Sequence, residues 1–394
     1  MNMASKTQKN GPVNMAETAE AKGEAAETAA GVERPDRPDG EIVILPDRID
    51  VQVSFKTYQA EANDHKELGL SDDEVLAMYR SMLLQRRFEE RAAQMYGKQK
   101  IAGFLHLYIG QEAVSTGSVQ ALRIGHDSVI TAYRDHGLAL ALGMSSKAGM
   151  AELFGKIDGC SRGKGGSMHF FSAEKRFFGG HGIVGGHIPL GVGIAFAHKY
   201  KQDDGVCLCF FGDGAVQQGA FHEAINLAGL YELPIVLVIE NNQYAMGTAT
   251  HRAAAEPDFY KQAIGYDMPG ALVNGMDVFS VYRAMKDHVE MARQGRPSLV
   301  EVRTYRYRGH SMSDPGKYRT KEELERKKND DPILRLKGYL LERKLSDNES
   351  LDKIDDEVKQ EVNEAVDFAE KSPYPPLESI YEDVYSQKDY PFLA

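Results

Sequence analysis

The stretch from Val206 to Asn242 constrains this chain more than any other. Val206–Phe211 is an unbroken apolar run of strand length, and Gly212-Asp213-Gly214 is a turn. From Ala215 to about Tyr231, the apolar residues Phe221, Ala224, Ile225, Ala228 and Leu230 recur at helical spacing, and Pro234 ends that helix. Ile235–Ile239 is a second apolar run, stopping at Glu240-Asn241-Asn242. A strand apolar at every position is covered on both faces, as in a parallel sheet with helices on either side. The crossover between two such strands is right-handed. The expected fold class is therefore α/β, a doubly wound parallel sheet flanked by helices.

Ligands of such sheets sit outside the carboxyl ends of the strands, where turns and helix N-termini converge. Asp213 and Asn242 follow two strands joined by one crossover, so both belong at that edge. Asp213 supplies a hard anionic oxygen and Asn242 a neutral one. With a backbone carbonyl, two phosphate oxygens and water they would complete an octahedral oxygen shell suited to Mg²⁺. The glycines beside Asp213 let the backbone approach phosphates, and the N-terminus of the next helix would add N–H donors and a favourable dipole. Rival glycine-rich readings fail on spacing. Gly212 to Gly219 does not match the dinucleotide fingerprint. Gly159 to Lys164 is one residue short of a phosphate loop, and Gly165 stands where Ser or Thr should hold magnesium.

Around this centre the chain reads as three parts. Met1 to about Gly40 is rich in Ala, Glu, Lys and Gly, lacks aromatic residues, and is expected to be a disordered acidic tail. It has no apolar h-region, and Glu17, Glu20, Glu24 and Glu27, with no Arg before Arg34, are unlike a mitochondrial transit peptide. A cytoplasmic, bacterial setting is expected. Residues 41–330 are expected to form the α/β domain. It would include short strands at Glu41–Leu45 and Val51–Phe55, and a helix opened by the capping box Ser71-Asp72-Asp73-Glu74 and running to about Tyr96. A helix over Glu112–Leu122 and a strand at Ser128–Thr131 follow. Residues 331–394 would be a helical extension packing on the domain or on a partner. Lys321–Lys344 reads as a charge-rich helix. Leu351, Ile354, Val358, Val362, Ala365 and Ala369 mark an amphipathic one stopped by Ser372-Pro373.

Glycine is dense between Gly155 and Gly193, and interleaved His169, Phe170, Phe171, His181 and His187 make this region more than a linker. It is expected to approach a ligand closely. The formal charge of -11 argues against a nucleic-acid partner, which needs a basic footprint. No apolar run approaches the roughly 20 residues of a membrane helix. Of the three cysteines, Cys207 and Cys209 share one face of a strand, with no third ligand nearby, and read as buried.

Specific motifs then carry a resemblance. They are Phe104-Leu105-His106-Leu107-Tyr108 with Gly110-Gln111-Glu112, Thr131-Ala132-Tyr133-Arg134, Gly163 to His169, Gly182-Ile183-Val184-Gly185, Gly212-Asp213-Gly214-Ala215, Glu240-Asn241-Asn242, and Tyr305 to Pro315. With these the chain resembles the thiamine-diphosphate-dependent enzymes, and among them the E1 α subunits of pyruvate dehydrogenase complexes, from about Leu76 to Pro376. The resemblance implies that Asp213, the Asn242 side chain and the Tyr244 carbonyl hold magnesium. It implies that Tyr133 and Arg134 meet the diphosphate, that Gly182 and Val184 meet the aminopyrimidine, and that Gly214 and Ala215 give N–H groups to phosphate. His310 would reach the diphosphate and the active-site channel, with His136 and His106 lining that channel.

It also implies a division of labour. In two-chain relatives the Glu that activates the cofactor belongs to a β subunit, and nothing here matches a pyrimidine-binding domain. An α₂β₂ assembly acting on pyruvate and serving a lipoyl-bearing E2 is what the resemblance implies. Ser311 and Ser313 lie in a loop that is phosphorylated in some relatives. Branched-chain 2-oxo acid and acetoin dehydrogenase α subunits stay open as alternatives, as does a scaffold that lost its chemistry.

Overall fold

The computed structural model describes residues 55–59 and 64–384. The tail and the strand expected at Glu41–Leu45 lie outside the described residues, as does nearly all of Val51–Phe55. Among the described residues there are nine strands: β1 (Lys56–Tyr58), β2 (Ser128–Ala132), β3 (Phe177–His181), β4 (Cys207–Gly212), β5 (Ile235–Asn241), β6 (Tyr244–Ala245), β7 (Thr248–Ala249), β8 (Gly270–Asn274) and β9 (Ser298–Arg303). Seven form one sheet in the order β1-β8-β9-β5-β4-β2-β3, with every neighbouring pair parallel. The chain moves from β2 outward to β3, crosses back to β4, then continues to β5 on the other side. The winding thus reverses between β2 and β4, which is where a doubly wound sheet opens a crevice.

The apolar runs behave as their composition dictates. Leu208 and Phe210 of β4, with Val236 and Val238 of β5, enter one core cluster. Cys207, Cys209 and Phe211, with Ile235, Leu237 and Ile239, enter the other. Burial pushes the thiols of Cys207 and Cys209 up, so both stay protonated and inert. Helix Ile188–Lys201 lies close on β4, since a side chain at Gly191 would meet Cys209 Sγ at 2.9 Å.

Helix Asp72–Gly97 opens with the capping box. The Ser71 N–H donates to Glu74 Oε2 at 2.8 Å, and the Glu74 N–H donates to Ser71 Oγ at 3.3 Å. The C-terminal part differs from expectation. The charged stretch is two helices, Lys321–Lys328 and Pro332–Glu342, because Pro332 lacks the N–H a continuous helix needs, while Asp331 caps the second helix. Helix Asn348–Lys371 buries Leu351, Val358, Val362, Ala365 and Ala369 in the core shared with Asp72–Gly97. Arg87 seals this seam through Nε to Asp355 Oδ1 at 2.7 Å.

Candidate active site

A cavity of about 260 Å³ lies at the carboxyl ends of β2, β4 and β5 and beneath the segment after β9. Asp213 leaves β4 in a single 3-10 turn, Asp213–Ala215. The expected helix starts later, at Gly219. The first N–H groups offered to the cavity are therefore those of a tight turn, and the dipole of a long helix sits one loop further away. Gly214 is required here: a Cβ on it would stand 2.7 Å from that of Ala245.

Asp213 is buried, and among the described residues its side-chain hydrogen bond comes from the Thr250 hydroxyl, donating at 3.4 Å. Burial pushes its carboxyl up to about 6. Across the cavity Asn242 is held by its amide, which donates to Gln111 Oε1 at 2.9 Å. Asn242 Oδ1 and the Tyr244 carbonyl both accept from Arg306 Nη1, at 3.3 and 2.9 Å. The Tyr244 carbonyl keeps a second lone pair, while Asn242 Oδ1 also accepts a long contact from the Tyr244 N–H at 3.4 Å that a cation could displace. The loop bearing them is bent by two non-glycine residues in the left-handed region, Gln243 (φ 79°) and Met246 (φ 52°). Such backbone persists only where the surroundings hold it. One buried carboxylate without a cation, one amide oxygen and one carbonyl form a hard oxygen set that fits magnesium.

Tyr133 and Arg134 leave β2 into the same cavity. Arg134 is buried and donates to the Leu107 carbonyl at 2.6 Å and the His310 carbonyl at 2.8 Å, which leaves further N–H groups for an anion. Burial and Arg306 push its pKa down to about 10, so it stays charged. His106, Tyr133 and His310 form an aromatic triangle with ring centres 4.7, 5.1 and 5.5 Å apart. Nδ1 of each histidine is buried without a partner. Burial, then Arg134, pushes His106 down to about 3 and His310 to about 4, so both rings are neutral at pH 7. Val184 reaches the cavity wall; Gly182 lies exposed at the end of β3.

The sequence model of the dehydrogenase E1 component family matches residues 79–378. The chain belongs to that family. It is 51% identical over 314 residues to the pyruvate dehydrogenase E1 component subunit alpha of Zymomonas mobilis, covering 79% of this chain and 88% of that protein. The Rhizobium meliloti protein of the same name is 50% identical over 316 residues, covering 80% and 90%. The chloroplastic subunit alpha-3 of Arabidopsis thaliana is 44% identical over 343 residues, covering 85% and 80%.

Two features of this E1 chain differ from the sequence reading. His136 is wholly enclosed and hydrogen-bonded at both ring nitrogens, so it does not stand on the cavity wall. The glycines of Gly159–Gly166 do not reach the cavity through their N–H groups. Those of Gly163, Gly165 and Gly166, with Ser161, converge on the buried Glu152 carboxylate at 2.7–3.0 Å. An internal carboxylate takes the donors that composition suggested for a ligand. Conversely, Gln111 and Arg306, which fix the oxygens opposite Asp213, were present in the quoted motifs without a role. The signal for Arg306 was a charged residue inside Tyr305-Arg306-Tyr307, next to a buried strand.

Proposed function

We propose that this chain is the α subunit of a pyruvate dehydrogenase E1, carrying out oxidative decarboxylation of pyruvate and acetylation of a lipoyl group together with a β subunit. The observation that carries the reading is the oxygen set of Asp213, Asn242 and Tyr244 facing buried Arg134 across one cavity. The relatives' names favour pyruvate over branched-chain acids or acetoin. The intact cavity residues speak against an inactive scaffold. No helix among the described residues is long and apolar enough to cross a membrane. Cytoplasmic placement rests on the bacterial relatives, and no nucleic-acid partner is assigned.

Thiamine diphosphate, when bound, supplies the carbanion nucleophile and the electron sink for loss of carbon dioxide. Asp213, Asn242 and the Tyr244 carbonyl would hold magnesium against its diphosphate. Arg134 and Tyr133 would grip the phosphate oxygens, with Arg134 as the fixed charge. The N–H groups of Gly214 and Ala215 would complete the cradle, and Val184 and Gly182 would face the aminopyrimidine. His106 and His310, both neutral, would accept or deliver a proton through the imidazole ring. An arriving diphosphate would offset Arg134 and Arg306 and raise both histidines toward neutrality. His310 would meet the diphosphate end of the channel.

The proposed assembly is α₂β₂; a partner chain covering the exposed end of the site, where Ile183 is 79% exposed and Val184 43% exposed beside the cavity, is consistent with it. The test is pyruvate-dependent dye reduction with thiamine diphosphate and Mg²⁺, by the chain alone and co-purified with its β partner. Turnover is expected only with the partner. Turnover by the chain alone would mean that it holds the activating carboxylate itself.

A further inference from the structure

The segment Leu105–Ile109 is irregular, yet both histidines that stack with the cavity residue Tyr133 depend on it. His106 lies within it. The loop bearing His310 hangs from it, because Met312 N–H donates to the Leu105 carbonyl at 2.9 Å and Tyr307 N–H donates to the Ile109 carbonyl at 3.1 Å. Arg134 bridges the two by donating to the carbonyls of Leu107 and His310.

Two alternate N–H groups of the segment are taken by buried side chains. His106 N–H donates to Ser167 Oγ at 3.1 Å, and Tyr108 N–H donates to Glu89 Oε1 at 2.8 Å. His136 joins those two acceptors. Its Nδ1 lies 3.0 and 3.1 Å from the Glu89 carboxylate oxygens, and its Nε2 lies 3.0 Å from the Ser167 carbonyl and 3.1 Å from Ser167 Oγ. The Glu89 carboxylate only accepts, so Nδ1 carries a hydrogen; the Ser167 carbonyl, which also only accepts, favours a second on Nε2 and hence the imidazolium, over a neutral Nε2 accepting from the Ser167 hydroxyl. Glu89, His136 and Ser167 are all buried. The rings of Phe88 and Phe170 close over the imidazole at 6.1 and 4.9 Å. The other carboxyl facing it is Asp135, whose Oδ1 is 3.9 Å from Nε2.

We propose that Glu89, His136 and Ser167 form a buried clamp that sets the position of Leu105–Ile109, so that His136 is a positioning residue for His106 and His310. This rests on the reading of those two histidines as active-site groups. A Ser–His–carboxylate arrangement with no exposure has no access to a substrate. Its use is mechanical: one ring fixes two acceptors, which fix the backbone on either side of Leu107.

The test uses the assembly with its β partner and the variants His136→Gln and Ser167→Ala, the second keeping the imidazolium. Amide exchange of the peptide spanning 104–110 should quicken by about tenfold or more in both, while that of helix Asn348–Lys371 stays unchanged. In wild type the same peptide should lose protection as pH rises and the imidazolium gives up its proton; in His136→Gln that pH dependence should be absent. His136→Gln should lower kcat by about tenfold in wild type but by less than about twofold in a His106→Ala background, because coupled residues are not additive. Multiplying effects on kcat, or unchanged exchange in both variants, would overturn the clamp. Unchanged turnover in His106→Ala would instead remove the active-site reading of His106, and the exchange data would still judge the clamp.

Discussion

Asp213 carries the most weight of any single residue. It is buried, its carboxyl is pushed up to about 6, and among the described residues the side chain donating to it is Thr250, by a long contact. An anionic group in that state costs free energy unless a cation arrives. Asp213→Ala should therefore abolish magnesium-dependent binding of thiamine diphosphate in calorimetry. Unchanged affinity would remove the metal assignment. Arg306 acts differently. Its guanidinium donates to Asn242 Oδ1 and to the carbonyls of Tyr244 and Met246, so it shapes the loop opposite Asp213 from the cavity wall.

At the scale of elements, the C-terminal helices are part of the body of the protein. Helix Asn348–Lys371 buries Leu351 completely and seals against Asp72–Gly97, the helix that carries Glu89. Leu351→Ala should destabilise the chain by about 2–5 kcal/mol, the cost of a buried methyl cluster plus the cavity left behind. Urea unfolding would measure it, and a loss under 1 kcal/mol would mean that the helix is not part of the core. The effect on the cofactor cavity should be indirect, since no residue of this helix lines it.

For the whole molecule, the buried carboxyls set a pH dependence. Asp135 and Glu240 are pushed up to about 7 and Asp213 to about 6, in each case first by burial. A group whose folded pKa is raised binds more protons folded than unfolded. Its stabilising contribution is full below the ordinary carboxylate pKa and is lost as pH rises through the folded value. Buried histidines held below their ordinary value, such as His106, His187, His288 and His310, act in the opposite sense, so Asp213→Asn is the reference: stripped of cofactor and metal, the wild-type assembly should lose more melting temperature between pH 5 and pH 8 than Asp213→Asn does. Magnesium and thiamine diphosphate should shrink the wild-type loss, because a bound cation favours ionised Asp213. An equal loss with and without ligands would contradict the placement of Asp213 at the cation.

Periodicity and punctuation alone determined the centre of the molecule: two fully apolar strands, the turn at Asp213, and Asn242 after the next strand. These are local consequences of chain chemistry, and the parallel sheet followed from burial on both faces. The capping box at Ser71 was legible for the same reason. Contacts between residues far apart in sequence were not. Glu152 drawing in the N–H groups of Gly163, Gly165 and Gly166, Arg306 reaching Asn242, and His136 turning inward to Glu89 are each decided by which segments the fold brings together. A histidine in a motif reads the same whether it lines a channel or holds up the residue that does. Only packing separates the two, because burial and the identity of both ring partners fix its charge and its access.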